Sequence, residues 1–211
     1  MERLAKKMAE SIGKSLGKSA DDVAVVAYGL IGIIQFLSIF LIASVFGIIF
    51  HFWLEVLVVF LSVGFLRRMT GGAHSSGIYS CLIYSVFFVC LISALARYLL
   101  PTLPFLVNCG LCVLVFAYGY IMVALKAPVT PPNKPCRTEA KRKRLRRGSF
   151  IVLSAFMVAV ALSLFFKEGS ARFYSVGLAL ALSTLMQITM MTKLGHSFVN
   201  FFDRLFGEKK S

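Results

Sequence analysis

The sequence predicts an all-α integral membrane protein that crosses a bilayer about six times, with both termini in the cytoplasm. Three observations support this prediction: 58% of the 211 residues are hydrophobic, these residues are gathered into long runs, and the charged residues, 15% of the chain, cluster between the runs. Soluble domains average roughly 45–50% apolar residues, and a membrane-spanning helix needs about 20 of them in succession. Too few residues remain for a separate soluble domain.

Six apolar runs supply the predicted spans and form one transmembrane domain over residues 23–191. The runs are Val23–Phe50, His51–Leu66, Ile78–Leu100, Phe105–Leu125, Ser149–Phe166 and Phe173–Met191. The second run is short, so it crosses the membrane fully only if it lies with little tilt. Pro101 and Pro104 indicate a tight turn between the third and fourth spans.

Polar segments precede, separate and follow these runs. Residues 1–22 carry apolar side chains four positions apart (Leu4, Met8, Ile12 and Leu16) with basic residues on the other faces, which predicts an amphipathic cytoplasmic helix at the membrane interface. Residues 126–148 predict a basic cytoplasmic loop, and residues 192–211 predict a polar, basic cytoplasmic tail.

The positive charges determine the predicted orientation. Of the 23 Lys and Arg residues, only Arg97, Lys167 and Arg172 fall on the side opposite the N-terminus. Because cytoplasmic loops carry an excess of Lys and Arg, both chain ends are placed in the cytoplasm. This bias explains the net charge of +14, so the sequence calls for no nucleic-acid partner.

The segment 67–81 concentrates polar side chains at the predicted cytoplasmic boundary. It reads RRMTGGAHSSGIYSC and contains one histidine, His74, and one cysteine, Cys81. A nucleophilic cysteine reacts as its thiolate, which a nearby base, a helix N-terminus and a cation such as Arg67 all favour. Since seven helical residues rise about 10.5 Å, the two side chains meet only if the loop folds back, and Gly71, Gly72 and Gly77 permit such a bend.

Residue types alone also allow a purely structural interpretation, because a cysteine in an apolar helix is most often a small hydrophobic residue. No metal is predicted, since one His and one Cys do not complete a zinc shell, and no cofactor is implied. The sequence does not identify a third residue that orients His74. Ser75, Ser76 and Ser80 are candidate hydrogen-bond partners, whereas Glu55 should lie near the opposite membrane face.

The segment 67–81 resembles the signature of AgrB, the accessory gene regulator B family. The stretch KAPVTPPNKP at 126–135 resembles the Ala-Pro…Asn-Lys-Pro segment that follows the fourth span in that family. Size and span pattern extend the resemblance to nearly the whole chain. It implies a homodimeric membrane cysteine endopeptidase of Gram-positive bacteria, located in the cell membrane, that processes a short, AgrD-like quorum-sensing propeptide.

The resemblance also implies a role for each matching residue. Cys81 would attack the carbonyl at the propeptide's C-terminal cleavage site with His74 as general base, giving an acyl-enzyme thioester. A Cys or Ser of the propeptide would then displace Cys81 and close a thiolactone or lactone ring. Arg67 would support charge or bind a substrate carboxylate, and Gly72 would shape the backbone.

The basic run KRKRLRR at 141–147 contains four arginines: Arg142, Arg144, Arg146 and Arg147. Such runs most often bind anionic lipid on the cytoplasmic surface. Because clustered charge raises association rates, these arginines are also candidates for steering the acidic propeptide tail that the family resemblance implies.

Two other functions stay open at this point. Cys109 and Cys112 form a C-x-x-C pair near the predicted outer end of the fourth span, a spacing that is reactive in thiol–disulfide oxidoreductases. The pair has wholly apolar surroundings and no second matching pair, which argue against that activity. A peptide transporter is the other alternative, but polar residues within spans, such as Asn108 and Gln187, more often serve helix packing.

Overall fold

The computed structural model describes residues 2–17, 19–72, 77–129 and 138–205. Its α-helices in these ranges are α1 (Glu2–Leu16), α2 (Ala20–Ile49), α3 (Trp53–Thr70), α4 (Ile78–Ala94), α5 (Phe105–Lys126), α6 (Glu139–Phe165), α7 (Ala171–Thr189) and α8 (Lys193–Leu205). α4 continues through a π-helical turn, Leu95–Leu99, and a 3-10 turn, Leu100–Thr102. Among the described residues, extended pairing is limited to one isolated bridge, Gly71–Val129. The predicted all-α class is therefore confirmed.

Five helices are long and apolar enough to cross a membrane: α2, α4 with its continuation, α5, α6 and α7. The protein is thus a polytopic membrane protein. α3 has 18 residues and includes Glu55, Arg67 and Arg68. At 1.5 Å per residue it is about 27 Å long, close to the thickness of a bilayer core. The six crossings predicted from the sequence require α3 to be the sixth spanning helix.

Three boundaries differ from those predicted. α3 continues to Thr70, so Arg67 and Arg68 form its last turn rather than the start of a loop. α6 begins at Glu139, so the basic run 141–147 is helical. The predicted polar tail contains a further helix, α8. Predicted spans ended where apolar residues ended, whereas Arg, Lys and Leu are good helix formers that extend a helix beyond the apolar core.

α7 is the central helix of the bundle. It packs against α3, α4, α5 and α6, and 61% of its most apolar stretch is buried. The core around it contains fully buried aliphatic side chains, among them Leu66, Leu153, Leu178 and Ile188. α2 lies at the periphery, where its large apolar side chains are exposed on the surface that would face lipid.

Polar pairs join α3 and α7 along their whole length, and we call this row the α3–α7 seam. Ser175 Oγ donates to Glu55 Oε1 at 2.5 Å, the hydroxyls of Ser62 and Ser183 are 2.6 Å apart, and Gln187 Nε2 donates to Thr70 Oγ1 at 3.1 Å. In lipid, such hydrogen bonds and close packing replace the hydrophobic effect as the force between helices. The pairs therefore fix the register of two parallel helices.

Two amphipathic helices flank the spanning helices. α1 turns the small residues Ala5, Ala9 and Gly13 toward α2 and leaves its large apolar side chains exposed. α8 buries Gly195, Val199 and Asp203 and exposes Leu194, Phe198, Phe201 and Leu205. An exposed apolar face beside membrane-spanning helices is typical of a helix that lies in the interface.

Candidate active site

Cys81 lies in the first turn of α4, at the end of the bundle where α3 ends and α7 passes into α8. Its backbone N–H donates to the carbonyl oxygen of Gly77 at 3.2 Å, which closes the first helical turn. The Cys81 side chain is a half-buried free thiol. A cysteine at a helix N-terminus lies in the partial positive charge of the helix, which favours a reactive thiolate.

Side chains from four helices converge on this thiol. The amide of Gln35 on α2 and the hydroxyl of Ser85 on α4 lie within hydrogen-bonding reach, and the charges of Arg67 on α3 and Asp203 on α8 act on it. The structure therefore brings together Arg67 and Cys81, which are two of the four catalytic or supporting residues predicted from the sequence. Burial of the thiol and the charge of Asp203 disfavour the thiolate that a nucleophile requires, whereas the charge of Arg67 favours it.

Gln35 and Asp203 are the neighbours that the sequence did not single out. Gln35 interrupts a long apolar run, and an amide at membrane depth is costly enough to have been a signal. Asp203 continues the four-residue spacing of Gly195 and Val199 on the buried face of α8. Neither residue is near Cys81 along the chain, so only the packing of α2 and α8 shows that they lie close to the thiol.

His74 lies in residues 73–76, outside the described residues, but both ends of that segment are placed. Gly72 follows α3 and Gly77 precedes α4.

A junction of three segments holds the start of this loop. The Val129 N–H donates to the carbonyl oxygen of Thr70 at 2.8 Å, and Gln187 Nε2 donates to the carbonyl oxygen of Gly71 at 2.9 Å. The buried Gln187 amide thus ties α7 to the end of α3. Through Val129, the segment that follows α5 packs directly against the 67–81 segment, so the two stretches with family resemblance meet in space.

The backbone at this junction admits only glycine. Gly71 has φ 71° and ψ −153°, a region essentially restricted to glycine, and a Cβ built on it would lie 1.9 Å from the carbonyl oxygen of Val129. Gly72 has φ 140°, and its Cβ would lie 3.3 Å from the carbonyl oxygen of Met190. Gly71 therefore carries the tighter constraint, although the family resemblance had assigned the backbone shape to Gly72.

The other candidate residues lie apart from Cys81. The four arginines of the basic run (Arg142, Arg144, Arg146 and Arg147) are exposed on the first turns of α6, where Arg146 donates to the carbonyl oxygen of Ala124 at the end of α5. Cys109 and Cys112 are free thiols near the start of α5. The Tyr79–Thr102 helix has 24 residues, about 36 Å, and it separates their end of the bundle from Cys81.

Within the ranges that the structure describes, no group of three or more His, Cys, Asp or Glu side chains is arranged to hold a metal ion. The fold and the site together define a polytopic helical membrane protein with a cysteine at a helix N-terminus beside a buried carboxylate and a guanidinium.

A family model described as Accessory gene regulator B matches residues 5–191, and the chain belongs to this family. A putative AgrB-like protein of Clostridium perfringens (strain SM101 / Type A) is 27% identical over 206 residues, 96% of each chain. A second from strain 13 is 26% identical over the same length, and one from Halalkalibacterium halodurans is 27% identical over 163 residues, 77% of this chain and 78% of that protein. No solved structure matches the chain.

Proposed function

We propose that this protein is a membrane cysteine endopeptidase that cleaves the C-terminal part of a quorum-sensing propeptide and promotes its cyclisation. Membership of the AgrB family supports a role in processing such a propeptide. The observation that carries the finer proposal is the placement of Cys81. Its free thiol stands at the start of α4, where the charge of Arg67 acts on it, and His74 precedes it by seven residues in the sequence.

The proposed reaction begins with removal of the Cys81 proton by His74. The sulfur attacks the carbonyl carbon of the scissile peptide bond, the carbon–nitrogen bond breaks, and His74 returns the proton to the departing amine. The N-terminal part of the propeptide is then held on Cys81 as a thioester. Arg67 stabilises the thiolate, and Gly71 and Gly72 give the loop the backbone shape that brings His74 to the sulfur.

Ring closure follows by acyl exchange. An internal Cys or Ser of the propeptide gives up its proton to His74 and attacks the thioester, and Cys81 leaves as the regenerated thiol. With a propeptide cysteine, one carbon–sulfur bond breaks and another forms, so the product is a thiolactone and the activation of the acyl group is retained. The cycle is balanced in atoms and electrons without a metal, an oxidant or another cofactor.

Several features support the setting of this reaction. The long apolar helices and the relatives from Clostridium perfringens and Halalkalibacterium halodurans support a place in the cell membrane of a Gram-positive bacterium. We further propose, from the family, an AgrD-like substrate and a homodimer. The exposed apolar faces of α1 and α8 support contact with lipid.

The direct test is to trap the covalent intermediate. Purified protein in lipid nanodiscs, mixed with the propeptide encoded beside its gene, should form an adduct on Cys81 that mass spectrometry locates and neutral hydroxylamine removes. The double variant Cys109→Ser/Cys112→Ser is the matched control, because it keeps Cys81, and it should form the adduct normally. An adduct on Cys109 or Cys112 instead, or processing that depends on that pair, would refute the proposal.

The basic run on α6 predicts a salt-dependent contribution to substrate capture. Replacing Arg142, Arg144, Arg146 and Arg147 by glutamine should raise the apparent KM for an acidic-tailed propeptide about tenfold at low salt and leave kcat nearly unchanged. The difference should shrink as salt rises, because exposed charges are screened. Kinetics at several salt concentrations, on variants inserted to equal levels, check this. An unchanged KM at low salt would show that these arginines do not steer the propeptide to the site.

A further inference from the structure

The last helix, α8, brings a buried carboxylate to the start of α4. We propose that Asp203 is a positioning residue of the candidate active site: by accepting a hydrogen bond from Ser80, it holds the first turn of α4 and keeps the Cys81 sulfur in place for attack. This inference rests on the proposed function, since it assigns a task to a residue that acts through Cys81.

The contact is short and shielded from solvent. Ser80 Oγ donates to Asp203 Oδ1 at 2.9 Å and also lies 3.3 Å from the carbonyl oxygen of Gly77. Ser80 is fully buried, and Asp203 is 3% exposed. A hydrogen bond to a carboxylate is stronger than one between neutral groups, and burial increases the cost of losing it. The bond therefore ties α8 to the residue immediately before Cys81.

α4 needs such a contact because its own sequence offers little to secure its N-terminus. Its N-cap residue is Gly77, which has no side chain to accept the first backbone N–H groups, and its first turn contains no acidic residue. Asp203 supplies a hydrogen-bond acceptor from a different helix, at the turn that carries Cys81.

Attachment of α8 to the bundle does not itself require a carboxylate. A separate aromatic cluster joins α8 to α4. The ring centroids of Tyr84 and Phe202 are 5.6 Å apart, and those of Phe88 and Phe198 are also 5.6 Å apart. Tyr84, Met190 and Val199 form a buried apolar cluster at the same contact. Since burying a carboxylate is costly, its position beside Ser80 and Cys81 points to the site rather than to docking.

α8 also lies outside the part of the chain that the family pattern describes, because the family match ends at residue 191. The matched family pattern therefore assigns no role to Asp203. A displacement of about 1 Å in a reacting group can lower a rate about a hundredfold. Release of the first turn of α4 should accordingly reduce the rate of attack more than it reduces substrate binding.

The test uses the full chain in nanodiscs with the neighbouring propeptide, and it compares Asp203→Ala, Asp203→Asn and Ser80→Ala. We expect Asp203→Ala and Ser80→Ala each to lower kcat about 10- to 100-fold with KM nearly unchanged. Asp203→Asn keeps an oxygen that accepts the same hydrogen bond, so it should stay within about fivefold of wild type. Arg204→Ala, on the exposed face of the same helix, should behave as wild type.

A double-mutant cycle isolates the contact from other effects. If Ser80 and Asp203 act through one bond, the double variant should be no slower than either single variant, whereas multiplying losses would overturn the proposal. Wild-type kcat in Asp203→Ala, or an equal loss in Asp203→Asn, would overturn it as well. If Asp203→Ala fails to insert into the membrane, the kcat of Ser80→Ala alone tests the proposal. Cleavage that persists in Cys81→Ser would instead contradict the proposed function.

Discussion

Replacing Cys81 by serine should abolish propeptide cleavage, with a loss of at least about a thousandfold in kcat/KM. A serine hydroxyl is far less acidic than a thiol, so the guanidinium of Arg67 and the proposed base His74 should not convert it into a competent nucleophile. The thioester intermediate would be absent, and cyclisation would be lost with cleavage. Mass spectrometry of the propeptide after co-expression measures both outcomes.

The same experiment should show a comparable loss for His74→Ala, because the thiol would have no positioned base and the departing amine no acid. The two losses should not multiply in the double variant, since base and nucleophile act as one unit. Cys90→Ser is the matched control, as Cys90 is a free thiol farther along the same helix. Intact cleavage in both Cys81→Ser and His74→Ala would refute the mechanism.

The second large effect is expected from a single methyl group at Gly71. Gly71→Ala should lower processing about a hundredfold without preventing membrane insertion. Alanine would face both a backbone region nearly forbidden to it, at about 1–3 kcal/mol, and a clash with the Val129 carbonyl oxygen, which belongs to backbone and cannot rotate away. The junction among α3, α7 and the segment after α5 would shift, and the loop carrying His74 would shift with it.

Gly110→Ala is the matched control for that substitution. Gly110 is an exposed residue of α5, and a Cβ built on it meets nothing within 4 Å. Alanine should therefore leave processing unchanged and stabilise the helix by up to about 1 kcal/mol. Thermal unfolding and processing rates of both variants in nanodiscs check the pair. Normal processing by Gly71→Ala would show that the junction does not position the site.

The apolar runs predicted most of the fold because a bilayer imposes both a length and a composition on each helix. The observed helices differ from the predicted spans where the chain leaves the apolar core of the bilayer. Arg67 and Arg68 lie in α3, and the basic run lies in α6, because a helix continues past the apolar core for as long as its residues favour it. The amphipathic face of α8 was not predicted because the apolar residues of the tail alternate with polar ones and form no long run.

The candidate site was predictable only in part, for a related reason. Local sequence marks residues that act within one segment, such as His74 and Cys81 on either side of Gly77. It does not state which helices pack together, because nearly every face of a spanning helix is apolar and period alone does not identify partners. Gln35 and Asp203 reach Cys81 from α2 and α8, and only the three-dimensional arrangement shows that they do.

The α3–α7 seam has a consequence for biosynthesis. α3 is made early, and its buried carboxylate and hydroxyls are paired with α7, which leaves the ribosome only after α4, α5 and α6. Until then, the polar groups of α3 have no α7 to bond in a membrane that solvates them poorly. We therefore expect α3 to complete its insertion late, when α7 arrives. A chain truncated before α7 should leave α3 accessible to water-soluble probes.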